Sequence, residues 1–360
     1  MKFTWEGAAA GMNKKVFYDE IPLIRSIACM MVVLVHVTAH NYRYDLEQFS
    51  DSLSLMLNQL SRLGTPMFAV ISAFLLFRSV QTRGFHLSYF VRSRMVKIVL
   101  PYIIWTFLYL LYRQYHGANV FAHAKSVLQA FILGTGYSHL YFVMTVIQFY
   151  ILFPLLQMVR DRKILLVLFV LSLPVNAIWL VPELRPHLGA VDWIVSHRSF
   201  IFQWISYFLF GGLLAYYYEQ WTAFAQKYWR LLLAAFALVW CGILIEIEPD
   251  RLLTSSRPAN LLYVPVSVLA LIMIYYKFLK HRWPAKALTY VGNFSMGIYL
   301  IHPFVIAWLR RSLPSSFWVP SLIWIVFGLT MLISLALLRL IASIPYVRAI
   351  APIAAKKQSS

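Results

Sequence analysis

The stretch Ile21-Pro-Leu-Ile-Arg-Ser-Ile-Ala-Cys-Met-Met-Val-Val-Leu-Val-His-Val-Thr-Ala-His40 decides the class of fold. Its length matches the about 20 residues a helix needs to cross a bilayer. Only Arg25 is permanently charged within it. Nine further apolar runs follow, near 60–78, 97–114, 138–157, 164–181, 199–218, 230–247, 260–279, 288–310 and 317–341. A lipid-embedded backbone must satisfy itself as a helix or a closed barrel, and these runs are too long and too evenly apolar for barrel strands. The expected fold is therefore all-α: a polytopic membrane protein of about ten transmembrane helices. The stretch 119–134 carries His123 and Lys125 and reads as an interfacial helix rather than a span.

Composition agrees. Of 360 residues, 61% are apolar and only 12% are charged, against roughly 25% charged in soluble domains. A soluble chain of this size has too little interior to hide that apolar surface. The net charge of +19 would suggest nucleic acid in a soluble protein. Here the basic residues sit in short clusters between apolar runs, so no nucleic-acid partner is expected. Cys29 and Cys241 both lie in apolar runs and read as packing residues. No cleavable signal peptide, appended soluble domain, internal repeat or low-complexity tract is evident.

Basic residues set the expected orientation. With the amino terminus inside, the inner segments carry about twice the Lys and Arg of the outer loops, which favours both termini in the cytoplasm. The expected organisation is a tail over 1–20, a transmembrane domain over 21–345 and a second tail over 346–360. The expected location is the cytoplasmic membrane, spanned many times.

Ionisable groups inside spans are costly and invite functional readings. Arg25 and His36 stand eleven residues apart, about three helical turns or 16 Å, and so share one face. A fixed cation at one depth and a titratable base at another suit an elongated anionic substrate. Snorkelling of Arg25 and an interhelical hydrogen bond from His36 are the plainer alternatives. Ser295, Tyr299 and His302 also share a face, which suggests a polar cavity wall or simple interhelical bonding. Arg92, Arg94 and Lys97 cluster before the third span, where guanidinium groups could hold phosphate or merely meet anionic lipid. His139 and Gln148 lie in and after an aromatic-rich helix start, and Ser72 sits in the second span; anchoring or packing is the default for each.

The absences narrow the chemistry. None of the acidic residues maps to the centre of a span, whereas ion-coupled transporters usually keep a membrane carboxylate. No P-loop, metal-ligand spacing or nucleophile elbow is present. Chemistry here would fall to histidine as a general base.

Five motifs in order resemble the acyltransferase-3 family of bacterial integral-membrane acyltransferases. Arg25 and His36 match an Arg, ten residues, then His. Phe68-Ala-Val-Ile-Ser-Ala-Phe74 resembles a Phe-x-x-Ser-Gly-Phe pattern, with one extra residue before the Ser and Ala73 in place of Gly. Arg94-Met-Val-Lys97 before Leu100-Pro101 resembles Arg-x-x-Arg before a Leu-Pro turn, although Lys97 keeps the charge without the fork. The segment His139 to Leu156 and the segment Ser295-Met-Gly-Ile-Tyr-Leu-Ile-His-Pro303 complete the set.

The resemblance is closest to stand-alone members that modify cell-envelope polysaccharides, without the SGNH hydrolase domain some members carry. It implies an enzyme that takes acetyl-CoA or succinyl-CoA as donor substrate, with no permanently bound cofactor and no metal. It implies a thioester threaded past Arg25 to His36, which acts as general base or first accepts the acyl group, and Arg92, Arg94 and Lys97 on the CoA phosphates. Ser72, His139, Gln148, Ser295, Tyr299 and His302 would line the cavity and face the acceptor. Partners implied are membrane lipid, acyl-CoA, a glycan acceptor and polysaccharide synthesis machinery. The alternative is an exporter of a polysaccharide or lipid-linked sugar that performs no chemistry.

Overall fold

A computed structural model of the chain describes residues 18–44, 53–158, 161–248 and 253–344. Both expected tails lie outside the described residues, apart from Tyr18, Asp19 and Glu20. The molecule is a helical bundle. Helix α1 (Glu20–Tyr44) is followed by α2 (Leu53–Ser61) and α3 (Gly64–Arg83). Next come α4 (Leu87–Arg94), a π-helical turn at Met95–Val99, and α5 (Leu100–Tyr115). The amphipathic α6 (Ala124–Ile132), α7 (Leu140–Leu156), α8 (Arg162–Leu180) and α9 (Ile205–Tyr216) follow. Helices α10 (Tyr218–Lys227) and α11 (Trp229–Ile245) meet at a bend of 91°. After α12 (Asn260–Ile274), helices α13 (Trp283–Asn293) and α14 (Ser295–Ser312) meet at 74°, and α15 (Ile323–Ser343) closes the bundle.

Among the described residues, six helices are long and apolar enough to cross a membrane, and up to eight spans result if each bent pair counts as one. The remaining two expected spans are represented by shorter apolar helices, α7 and α9. The stretch 199–218 shows why length alone misleads. Its apolar first part is not α-helical: Trp204 Nε1 donates to the Arg198 carbonyl at 2.8 Å, and Asn176 Nδ2 donates to the Gln203 carbonyl at 3.0 Å. Those bonds hold the entry segment in a short 3-10 turn, and α9 keeps only 12 residues.

Helix α1 sits at the centre, against α2, α3, α13, α14 and α15. Close approaches make this packing possible, as small residues do in lipid. A Cβ at Gly292 would collide with the Pro22 carbonyl, and one at Gly64 would lie 2.6 Å from the Ala28 oxygen. Gly211 brings α9 onto the backbone of α3 in the same way. The start of α1 is pinned by Glu20, which is buried and accepts hydrogen bonds from the Tyr218 and Tyr276 hydroxyls. Outer helices carry the lipid-facing surface: Leu166, Val170 and Leu171 on α8 and Leu332 and Leu340 on α15 are exposed. In a membrane protein this apolar exterior needs no partner but lipid.

Candidate active site

Three histidines from distant segments meet inside the bundle. His36 comes from α1, His302 from α14, and His139 from the residue before α7. Ring centroids are 5.1 Å apart for His36 and His302, 6.2 Å for His36 and His139, and 5.4 Å for His139 and His302. His139 and His302 are buried, at 1% and 0% exposure. The 74° break before α14 lets that helix run beside α1, which brings its histidine to the level of His36. The approach of His139 depends on Gly134, which takes a left-handed φ of 71°. A Cβ there would meet the Tyr141 backbone at 2.6 Å, so the loop folds back onto α7 only with glycine.

The hydrogen-bond state of these rings is informative. His302 Nδ1 lies 3.0 Å from the Ile298 carbonyl oxygen. A carbonyl only accepts, so Nδ1 carries the proton and the buried, unpartnered Nε2 presents a lone pair in the neutral ring. Among the described residues, neither ring nitrogen of His139 makes a hydrogen bond of ordinary geometry. Tyr299 donates to the His139 carbonyl and so fixes the position of that residue. Tyr109 is fully buried, donates to the Leu300 carbonyl at 2.8 Å, and stacks on Phe304 with centroids 4.2 Å apart. It walls the chamber against His139 at 5.2 Å. Among the described residues, no group of three His, Cys, Asp or Glu is arranged to hold a metal ion.

Toward the other end of α1, the guanidinium of Arg25 makes no hydrogen bond or ion pair among the described residues. Its electrostatic neighbours are Cys29 and Tyr150. Cys29 lies one turn along α1, and its thiol donates weakly to the Ser295 carbonyl at 3.5 Å. The Ser295 hydroxyl is buried and unpartnered. The stripe Ser295, Tyr299, His302 therefore runs from the level of Cys29 to the histidines. Tyr150 also faces Arg94, whose guanidinium carbon is 5.5 Å from the Tyr150 ring and 5.6 Å from the Phe90 ring. The Arg94 Nε is buried without a partner. Arg94 borders a cavity of about 330 Å³ lined also by Leu76, Arg83, His86, Tyr89 and Phe90.

The sequence-predicted residues thus separate. His36, His139, Tyr299 and His302 come together, and Ser295 adjoins them along α14. Arg25 and Arg94 flank Tyr150. Arg92 and Lys97 are exposed and do not line the cavity. Ser72 is half-buried on α3. Gln148 has both ends of its amide committed: it donates to the Ser199 carbonyl at 3.0 Å and accepts from the Ile201 amide at 3.0 Å. Its polar atoms serve the backbone of a loop. Sequence reasoning missed Arg83, His86, Tyr109 and Tyr150. The spacing of Tyr102 and Tyr109, two turns apart and both buried, was the available signal for Tyr109.

A family model described as an acyltransferase domain matches residues 18–339. The chain belongs to the acyltransferase-3 family. It is a multi-pass membrane acyltransferase. Among its relatives is YfiQ of Bacillus subtilis (strain 168), named as a membrane-bound acyltransferase, 27% identical over 302 residues that cover 79% of this chain and 80% of that one. A Staphylococcus aureus (strain MW2) protein named for poly-beta-1,6-N-acetyl-D-glucosamine export is 22% identical over 295 residues, covering 80% and 82%. A Staphylococcus epidermidis protein of the same name is 24% identical over 300 residues, covering 80% and 81%. No solved structure matches significantly. The five-motif resemblance and the all-α membrane fold expected from sequence agree with these findings.

Proposed function

We propose that this acyltransferase moves an acetyl or succinyl group from acyl-CoA, bound at the cytoplasmic face, to a hydroxyl of a cell-envelope or exported polysaccharide. The observation that carries this reading is the convergence of three histidines on the side of α1 that leads back to the unpaired guanidinium of Arg25. Arg94, with Arg83 and His86 in the 330 Å³ cavity, supplies the phosphate-binding charge for CoA; Arg92 and Lys97 add long-range attraction from the surface. Arg25 meets the donor deeper in, where an unpaired cation in low dielectric is most costly and most useful to an anion.

His36 acts as the general base. Its ring nitrogen takes the proton of the acceptor hydroxyl as that oxygen attacks the thioester carbonyl. A C–O ester bond forms, the C–S bond breaks, and the departing CoA thiolate takes up the proton. His302, oriented by the Ile298 carbonyl, accepts a hydrogen bond through Nε2, and His139 steadies the reacting carbonyl. Ser295 and Tyr299 border the path, while Ser72 and Gln148 act through packing and loop position. The cytoplasmic membrane, lipid and the polysaccharide synthesis machinery are the setting this reading requires.

The names of the staphylococcal relatives support a polysaccharide as acceptor. The same names favour one rival: transport of the polysaccharide with no chemistry. Turnover decides between them. Purified protein given labelled acetyl-CoA and succinyl-CoA in parallel should release CoA from one donor when a hexosamine oligosaccharide is supplied, and His36→Ala should not. Absence of turnover and of binding with both donors would leave export as the reading to test by flux.

A further inference from the structure

Three arginines converge at the end of the bundle opposite the basic cavity. Arg62 precedes α3, whose far end carries Arg83; Arg198 precedes α9; Arg257 precedes α12. Arg62 lies within electrostatic range of Arg198, Arg257 and Tyr141. Mostly neutral groups surround them. Arg62 Nε donates to Asn58 Oδ1 at 3.1 Å. Arg198 donates to the Ser138 carbonyl at 2.8 Å and covers the Tyr141 ring at 4.1 Å. Arg257 Nε donates to Asn260 Oδ1 at 3.1 Å.

Among the described residues the cluster contains one carboxylate, Glu246. Its Oε2 is 3.2 Å from Arg257 Nη1, and its Oε1 accepts from the Tyr263 hydroxyl at 2.7 Å. Among the described residues, three cations meet one carboxylate. Arg257 is only 6% exposed; its Nη1 is engaged by Glu246, and among the described residues its Nη2 has no partner. The Tyr207 hydroxyl, within electrostatic range of Arg257, is buried and unpartnered as well. Burial pushes the Arg257 guanidinium below its usual range, against the pull of Glu246. Arg257 holds its charge away from water while Arg62 and Arg198 add like charge beside it, a cost that a bound anion would offset.

The chemistry left open is that of an oxyanion site: guanidinium donors in planar forks and one phenolic hydroxyl. Its position links it to the histidines, because Arg198 is within electrostatic range of both His139 and Tyr299. We propose that Arg62, Arg198, Arg257 and Tyr207 bind a carboxylate or phosphate carried by the acceptor, so that the preferred acceptor glycan is anionic. That the anion belongs to an acceptor rests on the acyl-transfer reading; the anion site does not. Arg62 and Arg257 are recessed, which favours a group entering from the end of the bundle over a headgroup lying along its side.

The test uses the full chain in phosphatidylcholine nanodiscs and measures equilibrium binding of labelled glucose 1-phosphate. Expected are saturable binding that weakens with salt, competition by galacturonate, and none by glucose. Arg198→Gln and Arg257→Gln should each weaken it roughly tenfold, the equivalent of one charge-assisted hydrogen bond. Acyl-CoA binding should be unchanged in both. Arg257 is buried, so exposed Arg198 carries the test should the Arg257 variant not fold. The proposal is overturned if glucose binds as well as glucose 1-phosphate, or if inorganic phosphate binds as tightly as the sugar phosphate. It is also overturned if phosphatidylglycerol in the nanodisc abolishes binding, since the site then takes a headgroup. Failure of acyl transfer with binding intact would remove the acceptor reading and leave the anion site standing.

Discussion

Two buried polar regions of this bundle look alike in sequence and differ in structure. Between α8 and α9, Asn176 donates to the Gln203 carbonyl and accepts from the Ser206 amide, at 3.0 and 3.2 Å. Ser206 donates to the Ser172 carbonyl at 3.0 Å, and Gln203 donates to the His197 carbonyl at 3.0 Å. The side-chain nitrogens and hydroxyls of these four residues, and the Asn176 amide oxygen, are all partnered. In the histidine chamber, by contrast, both nitrogens of His139, Nε2 of His302 and the Ser295 hydroxyl are buried without hydrogen-bond partners among the described residues. A closed network is explained by the fold alone. An open one is stable only at the cost of unsatisfied groups, and a polar ligand that completes them offsets that cost.

Substitutions on each side can break this contrast. The largest effect is expected for His36→Ala, which should lower kcat by about 10²- to 10⁴-fold if it removes a general base. Acyl-CoA binding and the thermal midpoint should barely move. A thermal collapse with kcat per folded molecule intact would place His36 with the closed network instead. Asn176→Ala is the mirror case. It orphans the Gln203 carbonyl and the Ser206 amide and should cost about 1–3 kcal/mol for each group left unsatisfied. Denaturant unfolding in detergent reads that loss, and kcat/KM per folded molecule should stay at the wild-type value. A smaller effect is expected at the donor site: Arg94→Gln should raise the KM for acyl-CoA roughly tenfold. Arg92→Gln, at an exposed position, should change it little at low salt and not at all at high salt.

The same contrast explains what was legible in the chain. Helices announced themselves through apolar length, and α1, α8, α12 and α15 stand close to where hydropathy puts them. The entry to α9 was not legible, because its apolar residues are held out of the helix by hydrogen bonds from Trp204 and Asn176. The Arg25–His36 face and the Ser295–Tyr299–His302 stripe were legible, since helical periodicity fixes which residues share a face. Their meeting with His139 was not. That depends on a break between α13 and α14 and on the left-handed backbone at Gly134, which apolar periodicity does not encode. The cavity around Arg94 was half legible: its charge was visible, but Arg83 and His86 come from a different helix end and loop.

Gln148 offers the finest test of the comparison. By residue type it belongs with the open chamber, as a long amide in an aromatic span. By partners it belongs with the closed network, since both amide ends meet the backbone of 199–201. Gln148→Leu should therefore behave as a loop-anchoring change. The Ser199 carbonyl keeps the Thr145 hydroxyl, which donates to it at 2.9 Å, so only the Ile201 amide is orphaned. The expected loss is about 1 kcal/mol of stability, with kcat for acyl transfer unaltered. Because Arg198 stands next to the anchored segment, the variant should also loosen that arginine and weaken glucose 1-phosphate binding by less than Arg198→Gln does. If kcat instead falls while unfolding and sugar-phosphate binding stay at wild type, Gln148 touches the reacting groups. Counting hydrogen-bond partners would then have failed to separate scaffold from site.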